Sequence, residues 1–250
     1  NISTTAALVA AGAGVRIAKH GNRAASSKTG SADLLEQLGM RLDLEPEATV
    51  DMIRSVGFGF FFAPAYHPAM RFAGPVRRQL GVRTVFNFLG PLCNPANTKR
   101  AAVGVSDPSM ARRMAGVLQA RGAEYAFVFT GDQGLDELSI SGKSTIHRIQ
   151  DGEITSAEFR PADFHVPAAP IEAVRGGDAE ENERITRAVL GGAKGPQRDI
   201  VVVNAAPAVV VAGLAEGFED GIAKAEAAID DGAALAVLER AVAFSASAAG

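Results

Sequence analysis

Cysteine is nearly absent from these 250 residues, with Cys93 standing alone. A single thiol excludes a disulfide within the chain and suits a reducing compartment. A basic excess is also missing. Lys and Arg total 25 against 28 Asp and Glu, a net charge of −3. No basic stretch is interleaved with aromatics, so nucleic acid is not an expected partner. No apolar run reaches the length of a membrane span. The nearest candidate, Val201 to Ala215, is interrupted by Asn204 and Pro207. The opening Asn1-Ile2-Ser3-Thr4-Thr5 has no basic segment of the kind that starts a secretory signal. A cytoplasmic location with no membrane partner is the expectation.

What is present is a globular composition, 47% hydrophobic, enough for a substantial core. Residues 3–13 are Ala-rich behind a Ser/Thr start and read as a buried helix. Residues 14–20 read as a short strand. Glu45 to Val56 is helical with Pro46 in the first turn. The apolar run Gly57 to Pro64 suits a strand inside a parallel sheet. His67 to Leu80 reads as a helix and Thr84 to Leu89 as a helical turn. Further on come a strand at 100–106, a helix at 108–121, the strand Tyr125 to Thr130, and strands and turns at 138–149. Asp151-Gly152 is a hairpin signal, and irregular or edge structure is expected from there to Pro170. Glu180 to Leu190 reads as a helix, Asp199 to Asn204 as a core strand, and 205–214, 218–229 and 233–243 as helices. Strands alternating with helices predict an α/β fold, a mostly parallel central sheet flanked by helices.

The most informative segment is Lys19-His20-Gly21-Asn22-Arg23-Ala24-Ala25-Ser26-Ser27-Lys28-Thr29-Gly30-Ser31-Ala32-Asp33. It joins a strand to a helix, with Ser31 read as the N-cap and Gly39 as the terminator. Backbone N–H groups and small hydroxyls at a helix N-terminus are suited to wrapping a phosphate. Lys19 supplies a point charge, Ser26, Ser27 and Ser31 supply donors, and Gly21 admits the backbone. His20 is compatible with a general base, an aromatic wall or a satisfied polar residue. Near the start, Ser3 and Thr4 sit at a helix N-terminus, where a plain N-cap outweighs an anion site on the residues alone. Asp136-Glu137, on a loop just past a strand, has the hard oxygen ligands magnesium takes, although an isolated acidic pair is a weak signal. The helix around Arg77 and Arg78 reads most simply as a solvated basic face.

The run KHGNRAASSKTGSADLLEQLG resembles the phosphoribosyl-binding signature of the anthranilate phosphoribosyltransferases, members of the nucleoside phosphorylase and phosphoribosyltransferase superfamily. The resemblance implies transfer of phosphoribose from phosphoribosyl pyrophosphate (PRPP) to the amine of anthranilate, in tryptophan biosynthesis. It implies a PRPP site made by Asn1, Ile2, Ser3, Thr4, Lys19, His20, Gly21, Asn22, Arg23, Ala24, Ala25, Ser26, Ser27 and Ser31. Asn22 and Arg77 would bind anthranilate, and Ser3, Asp136 and Glu137 would hold two magnesium ions. No catalytic acid or base is assigned. Residues 1–250 would form the α/β domain, with 67–93 belonging to a small helical domain. The family pattern places the rest of that helical domain, a first strand and a glycine-rich phosphate loop ahead of Asn1. The chain read alone therefore lacks part of the phosphate cradle, and an inactive or nearly inactive fragment is one expectation. A homodimer is expected of the complete family member. Pyrimidine nucleoside phosphorylases share the Lys-His-Gly-Asn core but use free phosphate without the acidic pair. A non-catalytic binding paralogue is a third reading.

Overall fold

A computed structural model describes residues 1–24, 28–70, 72, 79 and 86–248. Helix α1 (Ile2–Gly12) is small-residue-rich and mostly buried, with Ser3 exposed. It forms the centre of the helical layer, packing on three helices from the far end of the chain. After it come strand β1 (Ile17–Gly21), helix α2 (Ser31–Gln37), helix α3 (Pro46–Val56) and strand β2 (Phe58–Phe62). Gly57 closes α3 with φ +93°, a backbone conformation that glycine takes without steric cost. Beyond Phe62 a short helical turn, Ala63–Tyr66, leads to His67.

The second half contributes β3 (Arg100–Gly104), α4 (Pro108–Ala120), β4 (Tyr125–Thr130), β5 (Ser144–Gln150) and β6 (Glu153–Phe159). Four helices complete the chain: α5 (Ala179–Leu190), α6 (Pro196–Val211), α7 (Phe218–Asp230) and α8 (Ala233–Ser247). Helices α6, α7 and α8 are the partners of α1. The main apolar cluster joins them to α2, β2 and the inner face of β4. A second cluster lies between α4 and the other face of β3, β4 and β5.

The α/β class holds, but the expected mostly parallel central sheet does not. Among the described residues there are two sheets. One is the parallel pair β1–β2, in register Ile17↔Phe58 to Gly21↔Phe62. The other has the order β3-β4-β5-β6 and only its first pairing is parallel. The reason lies in the turns. Asp151 and Gly152 take φ +53° and +78°, the two-residue connection that joins antiparallel neighbours.

Asp199 to Asn204 is not a strand. It is the middle of α6, which also absorbs most of the helix expected at 205–214. A run of valines favours strands. Here, however, Gly195 and Pro196 start a helix, and the run is buried on every side. An apolar stretch of this kind carries no periodicity that separates the two. The helix expected at 67–80 falls largely on residues 71, 73–78 and 80, outside the described residues.

Candidate active site

Strand β1 ends in Lys19, His20 and Gly21, and the polar loop follows. A Cβ at Gly21 would lie 2.8 Å from the Phe60 ring, so the strand pair leaves no room for a side chain there. The loop then closes on the start of α2. Asp33 Oδ2 accepts the N–H groups of Ala24 and Gly30, each at 2.9 Å. Burial works against the Asp33 charge, but these two donors and Arg23 outweigh it and hold its carboxyl below its usual value. A Cβ at Gly30 would sit 2.4 Å from the Ala24 nitrogen, so the closure needs glycine. Gly30, not Ser31, is the N-cap; Ser31 is the first residue of α2. Gly39 does terminate that helix, with φ +98°.

Arg23 reaches to α2. Its guanidinium pairs with Asp33 and Glu36 of α2 and lies over the Phe62 ring at 5.4 Å. Asn22 is exposed, and its Oδ1 accepts the Arg23 N–H at 2.8 Å. Ala24 is exposed too. Thr29 Oγ1 donates to the Gly177 carbonyl at 3.0 Å, tying the loop to the segment before α5. Ala25, Ser26 and Ser27 lie outside the described residues.

Across from the loop stands the start of α1. Asn1 is its N-cap, without a side-chain cap bond, so Ser3 and Thr4 lie inside the first turn and are not caps. Ile2 packs against the main core. Lys19 Nζ donates to Ser3 Oγ at 3.5 Å. Thr4 is fully buried, and its hydroxyl has no hydrogen-bond partner among the described residues. Orphaned buried hydroxyls are uncommon and ask for an explanation.

The third wall is the loop after β4, carrying Asp136 and Glu137. Two glycines let it approach the sheet. A Cβ at Gly104 would lie 1.6 Å from the Asp136 carbonyl oxygen, and one at Gly131 would lie 2.5 Å from that of Glu137. The loop therefore lies backbone-on-backbone against the ends of β3 and β4. Burial raises the Glu137 carboxyl well above its usual value, and the Asp136 charge and a hydrogen bond that the protonated Glu137 carboxyl donates to Asp136 add to the effect. Lys19 opposes the rise. Burial pulls the Lys19 ammonium down to about 8, with Glu137 and then Asp136 pulling the other way. Ser3, Lys19, Asp136 and Glu137 thus share one electrostatic cluster, although they come from three separate parts of the chain.

His20 sits beside this cluster in a defined state. Its Nδ1 lies 2.9 Å from the Gly90 carbonyl, which can only accept, so that nitrogen carries the proton. Its Nε2 lies 3.1 Å from His67 Nε2. Burial, the His67 ring and Lys19 all depress the His20 pKa, against the Gly90 bond. His20 is therefore the neutral Nδ1–H tautomer, and its Nε2 accepts from His67. Arg77 lies outside the described residues, and with it the proposed carboxylate partner of the acceptor.

Sequence reasoning missed His67 and Asn94, whose Nδ2 donates to the Ala18 carbonyl at 2.8 Å on the free edge of β1. It also missed Asn204, whose side chain holds both backbone groups of Leu138, the residue after Glu137. The signal available was one amide in a run of valines, which on the sequence alone is only a break in an apolar stretch. Among the described residues no group of three or more His, Cys, Asp or Glu forms a self-sufficient metal centre. Among the same residues no helix is long and apolar enough to cross a membrane.

Comparison with known proteins gives this arrangement a class. The family model for a glycosyl transferase family, a/b domain, matches residues 1–235. An anthranilate phosphoribosyltransferase of Desulfatibacillum aliphaticivorans is 50% identical over 244 residues, which is 98% of this chain and 72% of that protein. The crystal structure of anthranilate phosphoribosyltransferase from Thermus thermophilus superposes with a TM-score of 0.92 at 45% identity, covering 98% of this chain and 73% of that one. The Saccharomyces cerevisiae enzyme, solved in complex with PRPP and Mg, gives 0.91 at 31% identity, covering 99% of this chain and 70% of that one. The fold is that of a glycosyl transferase family. Within that class the chain belongs to the anthranilate phosphoribosyltransferase family. Its activity is the pentosyl transfer of tryptophan biosynthesis, and the nucleoside phosphorylase and silent-paralogue readings fall away.

Proposed function

We propose that the cluster of Ser3, Lys19, Asp136 and Glu137 is the pyrophosphate end of the PRPP site, and that the end of β1 with its loop holds the phosphoribose. The observation that carries this reading is the Lys19 ammonium on Ser3, beside the exposed Asp136 and half-buried Glu137 carboxylates that it senses electrostatically. A pyrophosphate needs cationic neutralisation and small donors. Lys19 supplies a charge, Ser3 supplies a hydroxyl donor, and the first turn of α1, which carries Thr4, supplies free N–H groups. Asn1 and Ile2 set that turn in place.

The residues present fit magnesium. Ser3 Oγ, Asp136 and Glu137 form an all-oxygen donor set, as a hard cation requires. Desolvation first, and then the neighbouring Asp136 charge, raise the Glu137 pKa, and a bound cation would offset both. These three residues would hold two ions, which when bound neutralise charge growing on the departing pyrophosphate. The chain's own part is to bind and orient. Lys19 steadies the phosphate oxygens. Gly21, Asn22, Ala24, Ala25, Ser26, Ser27 and Ser31 line the phosphoribose, with Arg23 bracing the loop against α2. The bond from the anomeric carbon to pyrophosphate breaks, and one from that carbon to the anthranilate nitrogen forms. The amine then gives its extra proton to solvent. Anthranilate's aromatic amine is neutral at pH 7, so no strong base is needed. His20, with both nitrogens engaged, serves as a wall. Asn22 and Arg77 orient the acceptor, Arg77 through a guanidinium–carboxylate pair. Residues 67–93 belong to the small helical domain, and the complete enzyme is a homodimer.

Lys19 tests the reading. Lys19→Met should lower kcat/KM for PRPP by about 100-fold or more, the scale of losing a charge stabiliser of the transition state. Lys19→Arg should keep part of the activity and alter its pH dependence. In the wild type, kcat/KM reports the free enzyme, so it should fall as pH rises through about 8, where Lys19 loses its charge. In Lys19→Arg that basic limb should vanish. An unchanged limb would assign the titration, and the role, to another group.

A further inference from the structure

Asn204 is a buried amide with every partner on a backbone. Its Oδ1 accepts the Leu138 N–H at 2.8 Å. Its Nδ2 donates to the Leu138 carbonyl at 2.9 Å and to the Ile200 carbonyl, one turn earlier in α6, at 2.8 Å. Leu138 is the residue after Glu137 and is fully buried. Both of its backbone groups are thus met by one side chain on a helix 66 residues away. The pattern copies the exchange of N–H and C=O between paired residues of an antiparallel sheet, in a place where the sheet has no strand to offer. The register of β3 with β4 ends at Gly104↔Phe129, and the loop continues beyond it.

We propose that Asn204 is a positioning residue for the Asp136–Glu137 carboxylates. A residue held at both its N–H and its C=O is fixed in translation and in rotation, and Glu137 is one peptide link away. The other side of the loop is set by backbone contact. Gly104 meets the Asp136 carbonyl and Gly131 the Glu137 carbonyl, with no room for a side chain at either. The two glycines set how deep the loop lies. Asn204 sets where along the sheet ends it lies, and so which way the carboxylates emerge. Groups that support metal ligands without touching the metal typically change its affinity about 10–100-fold when removed. The inference rests on reading the pair as the magnesium site.

The test is direct binding of Mn2+, used as a paramagnetic stand-in for magnesium, followed by electron paramagnetic resonance with inorganic pyrophosphate present. Asn204→Leu keeps the side chain's size and leaves the Leu138 peptide without its clamp. It should weaken Mn2+ binding about 10-fold or more. Asn204→Ser, smaller and uncharged, gives the same reading with a smaller loss and carries the test if the leucine variant does not fold. Arg198→Leu is the structural control. It lies on the same helix and faces Asp230 of α7 instead of the loop, so it should lower Tm and leave Mn2+ affinity within about twofold. Wild-type affinity in the folded Asn204 variants overturns the proposal, as does an equal loss in Arg198→Leu. Glu137→Gln separates the two levels. If it also binds Mn2+ like the wild type, the carboxylate reading fails. If it loses binding and the Asn204 variants do not, only the positioning role fails.

Discussion

Glu137 carries the sharpest consequence at the scale of a single residue. Burial and Asp136 raise its pKa well above 4.5 in the folded chain. The folded state therefore binds more protons than the unfolded one above that value, and stability is lost as pH rises from about 4.5 toward the folded pKa. Glu137→Gln removes that cost. Its Tm should exceed that of the wild type at neutral pH, and the gap should shrink toward pH 4. Saturating Mg2+ should narrow the gap, because a bound cation favours the ionised pair. A gap independent of pH would show that Glu137 is not held against its charge. This residue was legible from the sequence as half of an adjacent acidic pair after a strand. Its coupling to Lys19 was not, because the two are brought together only by the fold. Asn204 was harder still, since its role lies in a contact across 66 residues.

Among the elements, those governed by local chemistry matched expectation. The β1–loop–α2 unit is marked by glycines at 21, 30 and 39. The hairpin is marked by Asp151-Gly152, and α3 by Pro46 at its start. The failure at 199–204 has a physical cause: a helix buried all round and a buried strand present the same apolar run. What commits α6 to the helix layer is packing on α1 and α7, together with one clamp that the sequence does not advertise. Arg198, only 3% exposed, makes a two-pronged pair with Asp230 of α7 at 2.6 and 2.8 Å. Lys194 joins them at 3.1 Å. Bonds from Arg198 and then Lys194 draw the Asp230 pKa down to about 2. A depressed carboxyl contributes stability above its unfolded value of 3.8, and the contribution is lost as pH falls toward about 2. Asp230→Asn should therefore lower Tm at pH 6 and have little effect near pH 2. Equal losses at both would mean that the pair's worth is packing and not charge.

For the whole molecule, the proposed site lies where three backbone ends converge: the C-terminal end of β1, the N-terminal turn of α1, and the loop leaving β4. Each is pinned by a polar side chain from elsewhere. Asn94 holds the Ala18 carbonyl beside Lys19. Asn182, 3% exposed, takes the Asn1 nitrogen at 2.6 Å and donates to Gly177, which in turn accepts from Thr29 of the loop. Asn204 holds Leu138 beside Glu137. On the proposed reading the chemistry rests on preorganised position and charge, which is how a reaction without a strong acid or base gains rate. The central claim is that this arrangement joins PRPP to anthranilate with magnesium's help. The most direct test is the fluorescence of anthranilate on mixing the protein with PRPP and Mg2+. A loss that needs protein, PRPP and Mg2+ together, and that is abolished in Glu137→Gln, is the predicted result. A loss that persists without Mg2+, or that survives intact in Glu137→Gln, would contradict the account.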